Sequence, residues 1–375
     1  MSKEISLDSM RNILIIYIIR LCTILLFAYL AAYLIPYKGF FPYKEMLDVY
    51  NVPKFIKAFA NFDGLHYLGI AQSGYYQYQQ AFFPGYPIAI KIVTAMLGKN
   101  YLIGGFLVSN LSYLGVLVLL SKILKSLRYK DSTWFMIFFV FFPTSFYFSA
   151  IYTESFFLLL LLAVIYFQIE KKPLLSAFCA FGCSLTRFIG LASLLFLIRF
   201  KKHRPILTFW VLWPIIGLLL YMLYLNITVH DPLYFLNSQP FFGANRSTKL
   251  ILLPQVYFRY LKIFYTAKID IAYLTAVLEF LFFNFTFVIL LLDLRKRFKT
   301  HATLYMINLF SLFNLILPTL TGTFSSIPRY SLMSISMFFF LGELKSTRFK
   351  IFLSICFLCL QLMMLVLFIQ GYFIS

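Results

Sequence analysis

Residues 12–35 read NILIIYIIRLCTILLFAYLAAYLI, and this apolar run decides the class of fold. A hydrocarbon core about 30 Å thick takes about 20 helical residues to cross, so the run is long enough for a membrane-spanning helix. It is too long for the core of a cleavable signal peptide, and no small-residue cleavage site follows it. We therefore expect a retained first helix over residues 13–35.

Apolar stretches of similar length recur up to the C-terminus. Of the 375 residues, 62% are hydrophobic and 12% are charged, and the mean hydropathy is +0.85. This composition excludes a globule exposed to water on all sides. Because backbone polar groups within lipid must be satisfied internally, the spans should be helices. The sequence predicts an all-α polytopic membrane protein with a single transmembrane domain over residues 1–375.

The basic residues indicate how the chain is oriented. The formal net charge of +20 could suggest a nucleic-acid ligand. The basic residues nevertheless fall in short clusters between apolar runs, where the positive-inside rule places them on the cytoplasmic side, so we expect membrane lipids and no nucleic acid as partners. The clusters are Lys122/Lys125/Arg128/Lys130, Lys171/Lys172, Arg199/Lys201/Lys202/Arg204, Arg295/Lys296/Arg297/Lys299 and Lys345/Arg348/Lys350.

With the N-terminus inside, the first helix leads to an outer segment, residues 36–100. A full crossing by the apolar piece 82–97 would put the cluster Lys122 to Lys130 outside, so we treat this piece as a juxtamembrane or re-entrant helix. A second outer segment covers residues 229–271. Together with residues 13–35, about 11 transmembrane helices are expected, the others at 101–121, 133–150, 154–170, 173–187, 188–200, 206–228, 272–292, 301–318, 330–344 and 349–371.

The 13 acidic residues are informative because a carboxylate near the bilayer must face a cavity or a partner. Asp63 and Glu154 are the outer acids surrounded by aromatic residues, and Asp231, Asp270 and Glu279 are weaker candidates. For Asp63, the pattern fits a helix N-cap as well as it fits catalysis. The acids expected to pair with Lys or Arg on the wet inner face are Asp131, Glu170, Asp293 and Glu343.

Five motifs occur in order along the chain: NFDGLHYLGIAQSGY (61–75), QAFFPGYPIAI (80–90), FFPTSFYFSAIYTESFFLLL (141–160), SLTRFIGLAS (184–193) and IPRYSL (327–332). Together they resemble the PIG-V family of mannosyltransferases, which transfer the second mannose in GPI-anchor assembly and belong to the GT-C class of polyprenyl-phosphate-sugar-dependent enzymes. Phe62 stands where the family commonly has Trp. The resemblance implies a GT-C-like bundle and transfer of a hexose, with mannose expected, from a polyprenyl-phosphate sugar to a lipid or glycan acceptor.

The chemistry of such a transfer assigns roles to these residues. Asp63 would be the general base that takes the acceptor proton, and attack on the far face of the sugar carbon would invert its configuration. His66, which shares a helical face with Asp63, would orient that carboxylate or a donor oxygen, although a buried structural histidine fits nearly as well. Arg187 and Arg329 would bind the leaving phosphate. Arg246 and Arg259 are second choices for this role.

Other assignments stay open at this stage. Glu154 could bind a metal, the acceptor or Arg187, and Arg187 could equally pair with Glu154 or reach toward the interface. No dense ligand cluster is present, so no cofactor is certain, although a divalent metal ion is not excluded. Tyr86 and Tyr330 could stack on a sugar, but membrane interfaces are rich in tyrosine. In the Pro-Gly-Tyr-Pro turn before residue 88, Gly85 should permit close backbone approach.

The alternative function is a lipid or polyisoprenoid transporter without transferase activity. A transporter should distribute its ionisable groups along the bilayer midplane, whereas the groups identified here are expected near the outer face. We therefore expect a multi-pass integral membrane enzyme with an extracytoplasmic active site, in the cell membrane if the source is prokaryotic.

Overall fold

The computed structural model describes residues 10–98, 100–199, 207–242 and 246–374, and these residues form α-helices and 3-10 helices without a β-strand. Lys201, Lys202 and Arg204 of the predicted inner clusters lie outside the described residues. The α-helices are α1 (Met10–Leu34), α2 (Lys54–Lys57), α3 (Asp63–Ser73), α4 (Gly85–Leu97), α5 (Tyr101–Ser126), α6 (Ser132–Phe141), α7 (Glu154–Ile169), α8 (Pro173–Thr186), α9 (Leu194–Arg199), α10 (Leu207–Trp210), α11 (Trp213–Val229), α12 (Tyr234–Asn237), α13 (Leu253–Thr266), α14 (Ile271–Arg297), α15 (Ala302–Thr319), α16 (Ile327–Leu332), α17 (Ser336–Gly342) and α18 (Thr347–Ile369). The 3-10 helices are Lys44–Tyr50, Ala58–Ala60, Gln79–Ala81, Ser145–Phe148, Phe188–Ser193 and Gln239–Phe242.

Within the described residues, 5 helices are long and apolar enough to cross a membrane, namely α1, α5, α14, α15 and α18. A bent pair, formed by α11 and the segment 234–242, raises the number to 6 if it counts as one span. These helices confirm the expected all-α polytopic membrane protein. The total of about 11 spans stays a prediction, because α6, α7 and α8 are apolar but shorter.

Several predicted crossings are interrupted, and Pro143 explains the clearest case. The sequence predicts a helix over 133–150, but α6 ends at Phe141 and a 3-10 helix, Ser145–Phe148, follows. Proline disfavours the α conformation in the residue before it, and Phe142 is accordingly extended, with φ −55° and ψ 136°. The predicted helices 188–200, 206–228 and 330–344 are likewise split, into Phe188–Ser193 with α9, α10 with α11, and α16 with α17.

The chain between α6 and α7, which we call the buried connector, covers residues 142–153, all of them buried. Non-helical backbone inside a membrane protein needs partners for its polar groups. Arg20 of α1 supplies some of them: its guanidinium donates to the Ser149 hydroxyl at 2.9 Å and to the Ser145 carbonyl oxygen, and it lies 4.1 Å from the centre of the Tyr113 ring. A charged residue in a predicted span is thereby fixed to the connector.

The buried connector also holds the chain on both sides of the cavity described below. The Tyr152 hydroxyl donates to the carbonyl oxygen of Asn61 at 2.9 Å, and the Ile151 amide donates to that of Phe59 at 2.9 Å. The Thr144 hydroxyl donates to the carbonyl oxygen of Pro328 at 2.8 Å. The starts of α3 and α16 are therefore positioned against the same segment.

Acidic residues away from the cavity have structural roles. Asp270 caps α14 by accepting the Tyr273 amide at 2.8 Å, and Asp231 accepts the Leu233 amide at 2.9 Å. Asp293 pairs with Arg297 at 2.9 Å, as expected for an acid near basic residues. Its expected location on a wet surface is wrong, because the Asp293 side chain is buried and also accepts hydrogen bonds from Ser336 and Asn308.

Candidate active site

A cavity of about 1260 Å³ lies among the two predicted outer segments, the start of α7, the end of α8 and the residues around α16. Its volume exceeds the roughly 300–1,000 Å³ of ordinary ligand pockets, so it has room for a large substrate. Aromatic side chains form much of its wall, including Phe62, Tyr67, Phe82 and Phe242. The histidine and the charged residues that line it are Asp63, His66, Glu154, Arg187, Arg246, Lys249, Glu279 and Arg329.

Four of these residues form a connected set of ion pairs, which we call the charge tetrad: Asp63, Glu154, Arg187 and Arg329. The Arg329 Nη1 atom lies 2.7 Å from the Asp63 Oδ2 atom, and its Nε atom lies 3.3 Å from the Glu154 Oε1 atom. The same Glu154 oxygen lies 2.9 Å from the Arg187 Nη1 atom. The fold thus brings Asp63 together with Arg329 across 266 positions of the sequence.

The tetrad is mostly withdrawn from solvent, and Asp63 is its most accessible member. The side chain of Glu154 is 1% exposed and that of Arg329 is 8% exposed, whereas that of Asp63 is 22% exposed. Buried charges are tolerated where they are paired, and here each carboxylate meets a guanidinium. Asp63 therefore presents a paired but reachable carboxylate to the cavity.

The N-cap alternative for Asp63 is wrong. Phe62 occupies the N-cap position of α3, and Asp63 is the first helical residue, with its carboxylate directed to Arg329. Phe62 has a φ of 57°, which is unusual for a bulky residue, and its ring packs against Phe41 at 4.9 Å and Phe373 at 5.2 Å. Aromatic packing thus holds the backbone conformation that aims Asp63 into the cavity.

The electrostatic environment of Asp63 keeps it ionised. Burial acts to raise the pKa of its carboxyl group, but the charge and hydrogen bond of Arg329 outweigh this effect, with smaller contributions from His66 and Arg246. The pKa of Asp63 consequently lies below its ordinary value. At neutral pH the group is a carboxylate, which is the form that can accept a proton.

The two arginines of the tetrad are held at helix ends and against aromatic rings. Arg187 follows α8 in an extended conformation, and the centre of its guanidinium lies 4.8 Å from the Tyr330 ring centre. That of Arg329 lies 5.0 Å from the ring centre of Tyr152. Such contacts favour a cation in a poorly solvated site. The pairing of Arg187 with Glu154 is the structural alternative to phosphate binding that the sequence predicted for Arg187.

Gly85 explains how the end of α8 can lie so near the start of α4. A Cβ atom on Gly85 would lie 2.6 Å from the Thr186 hydroxyl oxygen and 2.9 Å from the carbonyl oxygen of Leu185. These separations are too short for non-bonded atoms, so any larger residue would push the helix ends apart. The close backbone approach expected from the Pro-Gly-Tyr-Pro turn is therefore present. The residues that Gly85 contacts, Leu185 and Thr186, directly precede Arg187.

His66 lines the cavity one turn after Asp63 and is half-buried. Its Nδ1 atom lies 3.3 Å from the Gln79 Nε2 atom, and its ring stacks on Phe82 at 5.1 Å and meets the edge of Phe242 at 5.3 Å. Burial lowers the pKa of His66 below its ordinary value, against an opposing effect of Asp63, so the ring is neutral at pH 7. No hydrogen bond joins it to Asp63 in the described structure, so a role in orienting that carboxylate is not supported.

The two tyrosines named from the sequence have different locations. Tyr330 lines the cavity next to Arg187. Tyr86 does not: its side chain is fully buried, and its hydroxyl group shares a hydrogen bond of 2.6 Å with Ser109. The expectation that Tyr86 contacts a sugar is therefore wrong, because an intramolecular partner in α5 occupies its polar end.

The cavity also contains groups that sequence reasoning ranked low or missed. Glu279 is buried, and its Oε2 atom accepts a hydrogen bond of 2.5 Å from the Tyr260 hydroxyl. Arg246 donates to the Gln239 Oε1 atom at 2.7 Å, and Lys249 lines the wall nearby. Arg259 does not line the cavity but donates to the Gly322 carbonyl oxygen at 2.9 Å. The sequence does contain a signal that could have identified Lys249 as a candidate. It is a basic residue in a segment predicted to be outside, where the positive-inside rule makes basic residues less common.

A divalent metal has no evident set of ligands here. In the part of the chain that the structure describes, no three or more His, Cys, Asp or Glu side chains form a group that could hold a metal ion. Asp63 and Glu154 each face a guanidinium instead. The described residues do not fit a bound metal.

Comparison with known proteins identifies a family. The family model described as Mannosyltransferase (PIG-V) matches residues 9–208, a stretch that includes Asp63, His66, Glu154 and Arg187. Neither the curated proteins nor the solved structures yield a match. The matched stretch ends before Arg246 and Arg329, so the second half of the cavity is known from the structure of this chain alone.

Proposed function

Because the chain belongs to the PIG-V family of mannosyltransferases, we propose that it moves mannose from a polyprenyl-phosphate-linked donor to a hydroxyl group of a lipid or glycan acceptor. The family model covers more than half of the chain, and it supports a glycosyltransferase that transfers mannose. The donor class, the acceptor class and an active site on the extracytoplasmic face, in the cell membrane if the source is prokaryotic, are part of the proposal. A GT-C type of bundle is proposed with them.

The observation that carries this proposal is the ionised Asp63 at the wall of a large cavity, fixed by Arg329. In the proposed step the acceptor oxygen forms a bond to the anomeric carbon, and the bond from that carbon to the phosphate oxygen breaks. The acceptor proton passes to the Asp63 carboxylate, and the electron pair of the broken bond stays on the phosphate. Attack from the far face inverts the configuration.

Asp63 suits the role of base better than Glu154. The side chain of Glu154 is almost completely buried, and its Oε1 atom already faces both Arg187 and Arg329. Asp63 is more exposed and is engaged by one guanidinium, at its Oδ2 atom. His66 is neutral, and its Nε2 atom has no hydrogen-bond partner among the described residues, which suits it to contact a substrate hydroxyl.

The transporter alternative gains no support. The charged groups that line the cavity are the tetrad together with Arg246, Lys249 and Glu279. Asp293, a buried acid with a basic partner, does not line the cavity. A transport pathway would need charged groups distributed between these regions. Family membership favours the transferase.

The direct test is an incubation of the purified protein in nanodiscs with a panel of polyprenyl-phosphate sugars and an acceptor lipid extract. We expect polyprenyl-phosphate mannose to be consumed, with polyprenyl phosphate released, as measured by mass spectrometry. A nucleotide-linked mannose should give no product. Turnover of the nucleotide sugar alone, or no turnover of any lipid-linked sugar by folded protein, would overturn the proposal.

A further inference from the structure

The charges of the tetrad are already balanced before a substrate binds. Asp63 and Glu154 contribute two negative charges, and Arg187 and Arg329 contribute two positive charges, at separations of 2.7 to 3.3 Å. An incoming anion would have to compete with these carboxylates for the guanidinium groups. The tetrad therefore makes a poor primary site for a phosphate, contrary to the role expected for Arg187 and Arg329 from the sequence.

Arg246 and Lys249, which also line the cavity, are held differently. Arg246 donates to neutral partners, the Gln239 Oε1 atom at 2.7 Å and the Ser326 hydroxyl oxygen at 3.4 Å. Lys249 lines the same wall, and its side chain is exposed. None of the ion pairs found among the described residues involves either group. Their charges are thus available to an anion.

Glu279 offsets only part of this positive charge. Glu279 also lines the cavity, and its carboxylate accepts a hydrogen bond from the Tyr260 hydroxyl. None of the ion pairs in the described structure joins Glu279 to a cation. Even a fully ionised Glu279 leaves one net positive charge on the group formed with Arg246 and Lys249. A phosphodiester carries one negative charge, so its binding would bring the group formed by Arg246, Lys249 and Glu279 to neutrality.

The backbone that carries both cations is fixed in place. The Ser247 amide donates to the Thr321 carbonyl oxygen at 2.9 Å, and the Ile251 amide donates to the Leu320 carbonyl oxygen at 2.9 Å. These two bonds attach the segment 246–251 to the turn that follows α15. The segment is therefore a fixed part of the cavity wall, and Arg246 and Lys249 face the cavity from a defined position.

We propose that Arg246 and Lys249 form the subsite for the phosphate group of the lipid-linked donor, next to the charge tetrad and distinct from it. This inference rests on the proposed function for the identity of the anion. The guanidinium offers a planar donor pair to phosphate oxygens, and the ammonium of the exposed Lys249 adds a second positive charge. The sugar then lies between the phosphate subsite and Asp63, as the transfer requires.

The test measures binding of sugar-free polyprenyl phosphate to protein in nanodiscs, with polyprenol as the uncharged probe. The double variant Arg246→Gln with Lys249→Gln should bind polyprenyl phosphate about 10-fold or more weakly, with polyprenol binding unchanged. Lys249→Gln alone, at an exposed position, should weaken phosphate binding less and leave folding intact. Lys268→Gln and Arg295→Gln are matched controls, because both residues are exposed and neither lines the cavity.

Binding does not require turnover, so the result is independent of whether transfer is observed. Inorganic phosphate as a competitor separates recognition of the phosphate group from recognition of the lipid chain, since only the former predicts competition. Unchanged affinity in the double variant would overturn the inference. An equal loss of polyprenyl phosphate and polyprenol would also overturn it, because the variant would then have lost the lipid site and not a phosphate contact.

Discussion

Replacing Asp63 by asparagine tests the central assignment, because the change removes one negative charge while keeping the size of the side chain. The asparagine oxygen can still accept the hydrogen bond that Arg329 Nη1 makes to Asp63 Oδ2 at 2.7 Å. Arg329 also keeps Glu154, whose Oε1 atom lies 3.3 Å from its Nε atom. The fold should therefore survive, while the group that accepts the proton is lost.

The two effects differ in expected size. Loss of a positioned general base lowers turnover by roughly 10²- to 10⁴-fold, which corresponds to about 2.7–5.4 kcal/mol in activation free energy. Breaking a buried ion pair outright costs about 3–5 kcal/mol, but Asp63 is partly exposed and Arg329 retains a partner, so we expect a smaller loss of stability, about 1–2 kcal/mol. Turnover should thus fall by more than unfolding can explain.

The assay compares turnover of polyprenyl-phosphate mannose with thermal unfolding of the same nanodisc preparations. Asp48→Asn is the matched control, because Asp48 lies in the same outer segment and pairs with Lys57 but does not line the cavity. It should leave both turnover and unfolding temperature close to those of the wild type. Turnover of Asp63→Asn within 3-fold of wild type, at equal amounts of folded protein, would refute the general-base assignment (a limit set at about 0.6 kcal/mol of activation free energy).

Four further outcomes are expected. Tyr86→Phe should leave donor KM unchanged in steady-state kinetics and lower stability by about 1 kcal/mol, since its hydroxyl bonds within the protein. Arg329→Gln should lower kcat more than it raises donor KM in the same kinetics, because its charge is already paired; the reverse pattern would place the donor phosphate on it. In a pH profile of kcat, no loss of activity is expected near pH 6.5. A loss of activity caused by Asp63 should lie below the ordinary pKa of an aspartate, and one caused by His66 below the ordinary pKa of a histidine, because both pKa values are lowered. A limb near neutrality that disappears in His66→Gln would contradict this. Arg20→Met should lower the unfolding temperature by the equivalent of more than about 2 kcal/mol, with partial recovery in Arg20→Lys, because it leaves buried oxygens of the connector unpartnered.

The sequence was sufficient to predict the class of fold and which polar residues approach one another. Long apolar runs predicted α1, α5, α14, α15 and α18 closely, because a membrane span is a local property of composition and length. The positions of Asp63, Glu154, Arg187 and Arg329 at turns predicted to share one face indicated a common site. That reasoning depends on topology and not on contacts, which is why it worked across such long separations in sequence.

The details that sequence reasoning missed are those that depend on a specific partner. Apolarity predicts burial, but it does not distinguish a buried helix from the buried connector, whose backbone is satisfied by Arg20 and other distant side chains. Tyrosine occurs both at membrane interfaces and in protein cores, so its presence in the sequence does not show which role Tyr86 has. Only the contact with Ser109 decides this. Likewise, charge alone could not show that Arg187 and Arg329 are already neutralised by the nearby acids.

The balanced charges of the tetrad have a consequence for the proposed reaction. Before transfer, Arg329 is paired with Asp63, so little net charge is buried and the cavity wall is stable in its low-dielectric surroundings. As the acceptor proton reaches Asp63, that carboxylate becomes neutral while the departing phosphate gains one negative charge. The positive charge of Arg329 is then uncompensated by Asp63 at the moment when negative charge develops on the phosphate. An interaction that is weak in the ground state and stronger as the bond breaks accelerates the chemical step. We therefore expect Arg246 and Lys249 to bind the phosphate and Arg329 to stabilise the charge that develops during transfer.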